Sequence, residues 1–299
     1  MWAVVSGLGL ERGPLVQLLA FTPYVAAASL APLVLMLILR RWWTAGVAAV
    51  AALVLIGSVA PRALPGPAVM ANGPTLRVLT ANVLAGAADE VALVRLVRDK
   101  RVDVLALQEF TPDAEAELDR LGLAELLPHR QTNPEVGTSG SALYSRFPLR
   151  DGGVRRNEGG FSQAYATVQV PDAPPVLVES VHPAAPYALS MLPAWRTDLA
   201  SQPPATPEGP LRILAGDFNA TLDHAALRTL LRTGYVDAAA AVGAGLIGTW
   251  GPYDGDLIPP VTIDHVLVDK RIGVRAVSVH PLPDSDHRPV LAELTLPAG

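Results

Sequence analysis

The sequence predicts an α/β domain preceded by two transmembrane helices. Two long runs without a charged residue stand near the start of the chain, and strand-like segments interspersed with helix-like segments follow them. The mean hydropathy of +0.32 is high for a soluble protein, which also favours a membrane-embedded part. The chain has no cysteine, so disulfide bonds and thiol chemistry are excluded.

The two apolar runs extend over residues 15–39 and 42–60. Each is long enough to cross a hydrocarbon core of about 30 Å as a helix. Pro23 and Pro32 lie in the first run, and neighbouring helices in a membrane can satisfy the carbonyl groups that a proline leaves unbonded. A cleaved signal peptide fits poorly, because there are two runs and no small-residue cleavage site separates them cleanly. We therefore predict that residues 1–62 form a membrane anchor.

Basic residues predict the orientation of this anchor. Arg40 and Arg41 lie between the two runs, directly before two tryptophans. Short loops with arginine favour the cytoplasmic side, and tryptophan favours the membrane interface. Arg12 and Arg62 lie at the opposite ends of the runs and weaken this preference. The chain is thus expected to be an integral protein of the bacterial plasma membrane, with its larger, C-terminal part outside the cytoplasm.

A linker and one large domain are expected after the anchor. Residues 63–75 are rich in Pro, Gly and Ala and predict a short linker, and residues 76–299 leave room for a single domain. Residues 63–299 contain 19 basic and 27 acidic residues, a formal charge of −8. This charge disfavours a nucleic-acid partner, which usually meets a basic surface, although it does not exclude one. The sequence implies no protein partner.

Apolar patterning predicts the elements of this domain. Residues 76–84 and 102–110 have the composition of buried strands, and residues 88–100 between them have apolar side chains at helical spacing. Further strands are expected at 141–149, 164–170, 175–183, 211–218, 262–268 and 288–296, with a second helix at 188–199. This order predicts α and β layers around a large sheet core.

Polar side chains that can bind metal ions or phosphate stand at the ends of several of these strands. They are Asn82, Glu109, His182, Asp217, Asn219, Asp264, Asp286 and His287. Because side chains alternate along a strand, Asp217 and Asn219 are expected to face one cleft while Phe218 packs the other way. Gly216 would let another backbone come close.

These residue types favour metal-assisted hydrolysis of a phosphoester. The carboxylate of Asp217 can orient or deprotonate water, and the amide of Asn219 can donate to an anionic oxygen. Glu109, Asp286 and Asn82 offer the oxygen ligands that Mg²⁺ prefers. The two histidines can donate to phosphate oxygens or relay protons.

Seven segments occur in a characteristic order, namely TANVL, DVLALQE, GSALYSRFPL, SVHPAAP, LAGDFNA, TWGPYDGDLIPPVTIDHVLV and SDHRPVLAEL. In this order they resemble the endonuclease/exonuclease/phosphatase superfamily, which includes DNase I-like nucleases, neutral sphingomyelinases and inositol-phosphate phosphatases. The resemblance implies a four-layer α-β-β-α sandwich and a hydrolase of phosphate ester or anhydride bonds that uses Mg²⁺ or Mn²⁺. It makes Glu109 similar to the principal metal ligand, Asn82 to a nearby ligand of metal or phosphate, and Asp286 to an accessory metal ligand.

The same resemblance implies catalytic roles for the other polar residues. Asp217 is similar to the residue that activates the attacking water, and Asn219 to its phosphate-binding companion. His182 is similar to the histidine that assists the leaving group or the transition state. Asp264 is similar to the acid that orients the last histidine, His287.

The predicted spans narrow the resemblance to bacterial membrane-anchored members related to VanJ, which are linked to glycopeptide (teicoplanin) resistance. The substrate implied is a lipid-linked phosphate or diphosphate of the cell envelope, such as a polyprenyl phosphate. Two alternatives stay open, an extracytoplasmic DNase I-like nuclease and a sphingomyelinase-like phospholipid diesterase.

Other polar and aromatic residues have ordinary structural explanations. Asp223 or His224 is expected to cap the helix that follows it. Trp250 is expected to be a packed side chain rather than part of a substrate pocket. Arg155 and Arg156 stand in a glycine-rich stretch and are expected in a solvated loop, with a second phosphate site as the less favoured interpretation.

Overall fold

Two β-sheets lie face to face at the centre of the fold. The computed structural model describes residues 2–67, 69, 71–251 and 257–299. Its strands are β1 (Thr75–Asn82), β2 (Val104–Gln108), β3 (His129–Asn133), β4 (Ser141–Ser145), β5 (Leu149–Arg156), β6 (Ser162–Val168), β7 (Val176–Val181), β8 (Leu211–Asp217), β9 (Tyr235–Asp237), β10 (Asp264–Asp269), β11 (Gly273–Val279) and β12 (Val290–Thr295). Among these residues, one six-stranded sheet has the order β11-β12-β1-β2-β4-β3 and the other the order β5-β6-β7-β8-β10-β9.

Helices precede the sheets and cover their outer faces. The helices before β1 are α1 (Trp2–Leu8), α2 (Leu15–Leu19), α3 (Thr22–Ala28), α4 (Leu30–Ile38) and α5 (Trp42–Val59), which a 3-10 turn, Ala60–Ala63, extends. Those after β1 are α6 (Glu90–Asp99), α7 (Pro112–Arg120), α8 (Leu123–Leu126), α9 (Leu192–Ala200), α10 (Ala225–Arg232) and α11 (Ala238–Ala241).

Alternation along the strands divides the apolar side chains between one inner layer and two outer ones. In β1, Val78 belongs to the cluster between the sheets, whereas Leu79 belongs to the cluster under α6, α7 and α8. In β8, Ile213 belongs to the inner cluster, whereas Leu214 packs with side chains of α9 and α10. The resulting order of layers, helices on a sheet on a sheet on helices, agrees with the predicted α-β-β-α sandwich.

The strand pairing brings one end of each central strand to the same edge of the molecule. β1 runs parallel to β2, and β7 runs parallel to β8. β10 is antiparallel to β8, so its first residue, Asp264, stands opposite the last residue of β8, Asp217. The expected close approach at Gly216 is present, since a Cβ atom there would lie 2.0 Å from the carbonyl oxygen of Val181.

Four strands are additional to those that apolar patterning indicated. They are β3, β5, β9 and β11, and each lies at an edge of its sheet. Edge strands are covered less completely than central ones, so their sequences lack a continuous apolar run. Arg155 and Arg156 belong to β5, and their expected place in a solvated loop is wrong.

The first predicted span is not one continuous helix. Residues 15–39 divide into α2, α3 and α4, and prolines stand where these helices begin. Pro14 precedes α2, and Pro23 and Pro32 lie in the first turns of α3 and α4, where a helix leaves its N–H groups unbonded. Val16 is fully buried in a cluster with side chains of α9, α10 and β8. The beginning of the predicted span therefore packs in the core of the domain.

An apolar hairpin follows this buried segment. Among the described residues, the helical stretch Trp42–Ala63 is long and apolar enough to cross a membrane. The shorter apolar stretch Thr22–Ile38, formed by α3 and α4, packs against it. Two spanning helices were predicted. The described residues contain one helix of sufficient length and a second, shorter helical stretch.

The N-terminal part is joined to the domain at the start of α10. Arg62 forms a two-pronged salt bridge with Asp223, with N–O distances of 2.8 and 2.7 Å. Nε2 of His224 lies 2.8 Å from the carbonyl oxygen of Val16, and the Glu11 carboxylate accepts from the first backbone N–H of α10. His224 stands at the N-cap without a side-chain capping bond, so the expected capping role is replaced by contacts with the N-terminal part.

We expect Asp223→Ala to destabilise the protein through this joint. The Arg62 and Asp223 side chains are 12% and 1% exposed, so removal of one partner leaves a largely buried charge, at a cost of about 3–5 kcal/mol. Asp119→Ala is the matched control, because Asp119 pairs with Arg130 at 40% and 44% exposure and should cost no more than about 1 kcal/mol. Chemical denaturation in detergent, followed by tryptophan fluorescence, measures both; equal losses would contradict the expectation.

Candidate active site

The eight polar residues predicted from the strand ends lie together at one edge of the two sheets. Asn82 and Glu109 stand at the ends of β1 and β2, and Asp264 begins β10. Asp217 ends β8, and the others follow β7 or β8 or precede β12, namely His182, Asn219, Asp286 and His287. A cleft of about 520 Å³ is lined by six of the eight. The other two, Asn82 and Asp264, lie behind it and hold residues that line it.

Asn82 links the carboxylates of the two sheets. Its Nδ2 donates to Oε1 of Glu109 at 3.1 Å and to Oδ2 of Asp217 at 3.2 Å. Its Oδ1 accepts from the backbone N–H of Leu84, and Oε2 of Glu109 accepts from that of Ala85. Glu109, Leu84 and Ala85 all have left-handed backbones, with φ of 58°, 47° and 50°. Such conformations cost energy and tend to cluster at functional sites.

Asp264 and His287 form a buried pair beside Asp217. Nδ1 of His287 lies 3.1 and 3.0 Å from the two carboxylate oxygens of Asp264, and Nε2 lies 3.6 Å from Oδ2 of Asp217. Thr249 fixes this acid in turn, because its Oγ1 accepts from the backbone N–H of Asp264 at 3.0 Å. The contact at Nδ1 orients the ring so that Nε2 faces Asp217 and the cleft.

The surroundings of His287 and Asp217 raise the pKa of both side chains. Burial disfavours the charged imidazole of His287, but the carboxylates of Asp264 and Asp217 outweigh burial and raise the pKa of His287 to about 10. Burial also raises the pKa of Asp217, because its carboxylate loses hydration, and the charge of His287 opposes that effect. His287 is therefore a cationic donor at neutral pH.

His182 has the opposite character. Burial lowers the pKa of His182 to about 4, although the Asp217 carboxylate works against this. Its Nε2 lies 3.7 Å from Oδ2 of Asp217 and 4.0 Å from Oε1 of Glu109, and Phe161 packs on the ring at 4.6 Å between centroids. Nδ1 has no hydrogen-bond partner among the described residues. A neutral and a cationic histidine thus flank Asp217.

Asn219 reaches the cleft through a turn. β8 ends at Asp217, and Asn219 has a left-handed backbone with φ of 49°. Its N–H donates to Oδ1 of Asp217 at 2.8 Å, and its Nδ2 donates to the carbonyl oxygen of Pro183 at 3.1 Å. Phe218 is fully buried on the outer side of the sheet, as expected. The expectation that Asn219 shares a strand face with Asp217 is wrong, but its side chain still lines the cleft.

The donor set suits a hard divalent cation. Glu109 and the amide oxygen of Asn82 are oxygen ligands of the kind that Mg²⁺ and Mn²⁺ prefer. Ligand atoms of Asp217, Asp264 and His287 lie within 4.8 Å of one another and form a second group that could hold a metal ion. That second group includes the imidazole of His287, whereas Mg²⁺ prefers oxygen ligands throughout. We therefore favour the Glu109 side of the cleft.

Trp250 and Asp286 form the mouth of the cleft. Nε1 of Trp250 donates to Oδ2 of Asp286 at 2.8 Å, and the other oxygen of Asp286 lies 3.9 Å from Nε2 of His287. The Asp286 side chain is 44% exposed, whereas those of the other acids described above are mostly buried. The expectation that Trp250 is an ordinary packed side chain is wrong, because it lines the cleft and holds an acid there.

The N-terminal segment forms a further wall of the cleft, which patterning did not indicate. Val16, Gln17, Ala20 and Phe21 line it, and Nε2 of Gln17 donates to the carbonyl oxygen of Pro186 at 2.7 Å. These residues belong to an uncharged run, where the pattern of a membrane helix conceals any other role.

Arg155 and Arg156 do not line this cleft. Arg155 pairs with Glu179 at 2.7 Å, and Arg156 pairs with Glu135. Both guanidinium groups are thus engaged by carboxylates, one on β7 and one in the loop between β3 and β4. The structure therefore does not support the less favoured interpretation, in which these arginines form a second phosphate site beside the cleft.

Solved structures share this fold at low sequence identity. An endonuclease/exonuclease/phosphatase from Beutenbergia cavernae DSM 12333 matches with a TM-score of 0.62 and 20% identity, over 75% of this chain and 72% of that one. A humanized TDP2 of D. rerio matches at 0.60 and 14%, over 74% and 98%. A mannosyl-6-phosphatase of Bacteroides thetaiotaomicron VPI-5482 matches at 0.57 and 18%, over 73% and 99%.

Sequence comparison gives the family. A search of curated proteins finds no match to this chain. The family model described as "Endonuclease/Exonuclease/phosphatase family" matches residues 79–287, which include every one of the eight site residues. By this match, together with the fold and the site, the chain belongs to the endonuclease/exonuclease/phosphatase family, whose members are phosphoesterases and nucleases.

Proposed function

We propose that this protein is a membrane-anchored, metal-dependent phosphoesterase that hydrolyses a lipid-linked phosphate or diphosphate. One observation carries the proposal. The polar floor of the cleft holds Asp217 and His287, and one wall of the same cleft comes from the N-terminal segment that leads directly into the apolar hairpin. A phosphate at the floor would therefore lie beside the part of the chain that is suited to a membrane.

The dimensions of the hairpin support anchoring. At about 1.5 Å per residue, Trp42–Ala63 extends about 33 Å and Thr22–Ile38 about 26 Å, close to the thickness of a hydrocarbon core. Large apolar side chains on both helices are exposed, including Val34, Val47 and Leu53. In water such surfaces would be unfavourable, and lipid would cover them. We propose that the two spans lie within Thr22–Ile38 and Trp42–Ala63, whose ends at Tyr24 and Arg62 contact the domain.

Charge supports a domain outside the cytoplasm. Arg40 and Arg41 lie at the tip of the hairpin, and exposed Trp42 and Trp43 follow them, as at a membrane interface. Arg62 lies at the end of the hairpin next to the domain, and its positive charge there favours the opposite orientation of the hairpin. Its charge is matched by Asp223, so it contributes little to the balance between the two sides.

The site geometry suits attack of water on phosphorus. Asp217 accepts the proton of the attacking water, and Asn219 and the cationic His287 donate to phosphate oxygens. Asp264 holds His287 in orientation, and His182 stands near the leaving group. A Mg²⁺ or Mn²⁺ ion held by Glu109, Asn82 and Asp286 would offset negative charge on the phosphate.

The substrate that we favour is a polyprenyl phosphate or diphosphate of the cell envelope. A role in glycopeptide resistance is part of this proposal and rests on the resemblance of the sequence to VanJ-type proteins. The fold is shared with a mannosyl-6-phosphatase and with TDP2, of which one structure is a complex with a single-strand DNA product. A nuclease is thus the second candidate. The apolar wall of the cleft and the charge of −8 on residues 63–299 both count against it.

We expect the detergent-solubilised chain to release phosphate from polyprenyl diphosphates in preference to phospholipids or plasmid DNA. Asp217→Asn should lower kcat by about 10²–10⁴-fold, because it removes the group that accepts the proton. Asp284→Asn is the matched control, since Asp284 is exposed on the approach to β12 and Asn tolerates its φ of 60°. Efficient cleavage of DNA with lipid diphosphates untouched would refute the proposed substrate.

We expect Mg²⁺ to raise the Tm of the wild-type protein, and Glu109→Gln to raise the Mg²⁺ concentration needed for half of this shift by about tenfold or more. The reason is that binding to the folded state stabilises it, and the substitution removes a carboxylate ligand. Glu125→Gln, an exposed substitution of the same type, should leave the shift unchanged. Identical Mg²⁺ dependence in all three proteins would exclude Glu109 as a ligand.

A reporter enzyme that is active only outside the cytoplasm should be active when it is fused after Gly299. The same reporter fused after Arg41, at the tip of the hairpin, should be inactive, because arginine favours retention in the cytoplasm. Enzyme assays on intact cells measure both fusions. The reverse pattern would place the domain inside the cell.

A further inference from the structure

We propose that an apolar passage leads from the phosphate site along the N-terminal segment and holds the hydrocarbon chain of the substrate. This inference rests on the proposed function and adds the residues that select for a long chain. The passage consists of the cleft described above and a second cavity of about 290 Å³ beside α3. Ala20 and Val261 line both cavities, so the cavities adjoin at these two residues, and we place the neck of the passage there.

The first part of the passage begins directly above the catalytic residues. Phe21 and Ile258 line the cleft together with Asp217 and His287, so apolar and catalytic side chains border the same space. A phosphate held by the catalytic residues would have its ester substituent facing this apolar lining. A hydrocarbon substituent gains free energy there, whereas a sugar or nucleotide would lose hydration without a compensating hydrogen bond.

The second cavity continues toward the membrane hairpin. Pro23, Tyr24 and Ala27 of α3 line it together with Leu246. Two threonines and the paired side chains of Arg62 and Asp223 complete the lining, so the cavity is mainly but not wholly apolar. α3 is the first helix of the apolar stretch Thr22–Ile38. A chain that leaves the phosphate site through the neck therefore runs along the helix that is suited to lipid.

Hydrogen bonds hold the walls of this passage in place. Gln17 binds the loop after β7 through the carbonyl oxygen of Pro186, and the Tyr24 hydroxyl donates to the carbonyl oxygen of Pro260 at 2.6 Å. Val16 is fully buried, and its carbonyl oxygen contacts His224. The segment on both sides of Ala20 is thus fixed to the domain, and the neck is a built feature of the fold.

The test compares two prenyl diphosphates that differ only in chain length, one with a long chain and one short and water-soluble. Ala20→Trp fills the neck, and the helical backbone of Ala20 accepts a larger side chain. Each methylene that is excluded from an apolar site weakens binding by about fourfold. We expect kcat/KM for the long substrate to fall about tenfold or more, mainly through KM, while the short substrate stays within about twofold.

Two adjacent alanines provide a second variant and a matched control. Ala27 lines the second cavity, whereas its exposed neighbour Ala28 lines neither cavity. Ala27→Trp should weaken the long substrate selectively, and Ala28→Trp should leave both substrates at the wild-type level. The Ala27 variant keeps the test valid if the Ala20 variant does not fold.

The outcomes separate the passage from the proposed function. If the wild-type protein hydrolyses the long substrate and both Ala20→Trp and Ala27→Trp do so equally well, the passage is wrong and the function stands. If the folded Ala20 and Ala27 variants lose both substrates to the same extent, chain length is not what these residues select and the passage is again wrong. If the wild-type protein hydrolyses neither these diphosphates nor the corresponding monophosphates, the proposed function fails and the passage fails with it.

Discussion

The arrangement of the site depends on a single side chain, Asn82, between two buried carboxylates. Burial raises the pKa of both Glu109 and Asp217, so neither acid would stay charged easily in isolation. Asn82 donates to both, and the positive charge of His287 acts on both. Asn82 ends β1 and Asp217 ends β8, each in line with the side chains that face the other sheet. A register shift of one residue in either strand would turn its polar end to the outer layer.

This dependence on register explains why so much of the site could be predicted from the sequence. Asp217 and Asp264 end or begin strands whose apolar patterns are unambiguous, because central strands are buried on both faces. The edge strands were not predicted, because they are covered less completely and lack a continuous apolar run. The place of Arg155 and Arg156, which belong to the edge strand β5, was missed for the same reason. Asn219 lies in the predicted cleft, but not for the predicted reason. It was expected on the same strand face as Asp217, whereas a turn with a left-handed backbone carries it there.

The role of the N-terminal segment could not be predicted from composition. A helix packed into a protein core and a helix in lipid both require apolar side chains, so Val16 and Leu53 carry the same signal in the sequence. The structure separates them, because Val16 is fully buried in the domain and Leu53 is 71% exposed. Contacts such as that between Arg62 and Asp223 are distant in sequence and leave no periodic pattern.

The packing of Val16 also couples the N-terminal segment to the candidate active site. Val16 belongs to the same buried cluster as Phe218 and Trp195. Phe218 follows Asp217 directly, and Nε1 of Trp195 donates to the carbonyl oxygen of Asn219 at 3.0 Å. The cluster that receives the N-terminal segment therefore supports the turn that carries Asp217 and Asn219. Loss of the segment would leave a cavity behind this turn, and side chains that border a cavity lose packing and precision together. The N-terminal segment is thus part of the structure of the candidate active site, and its position against the domain bears on the arrangement of the residues there.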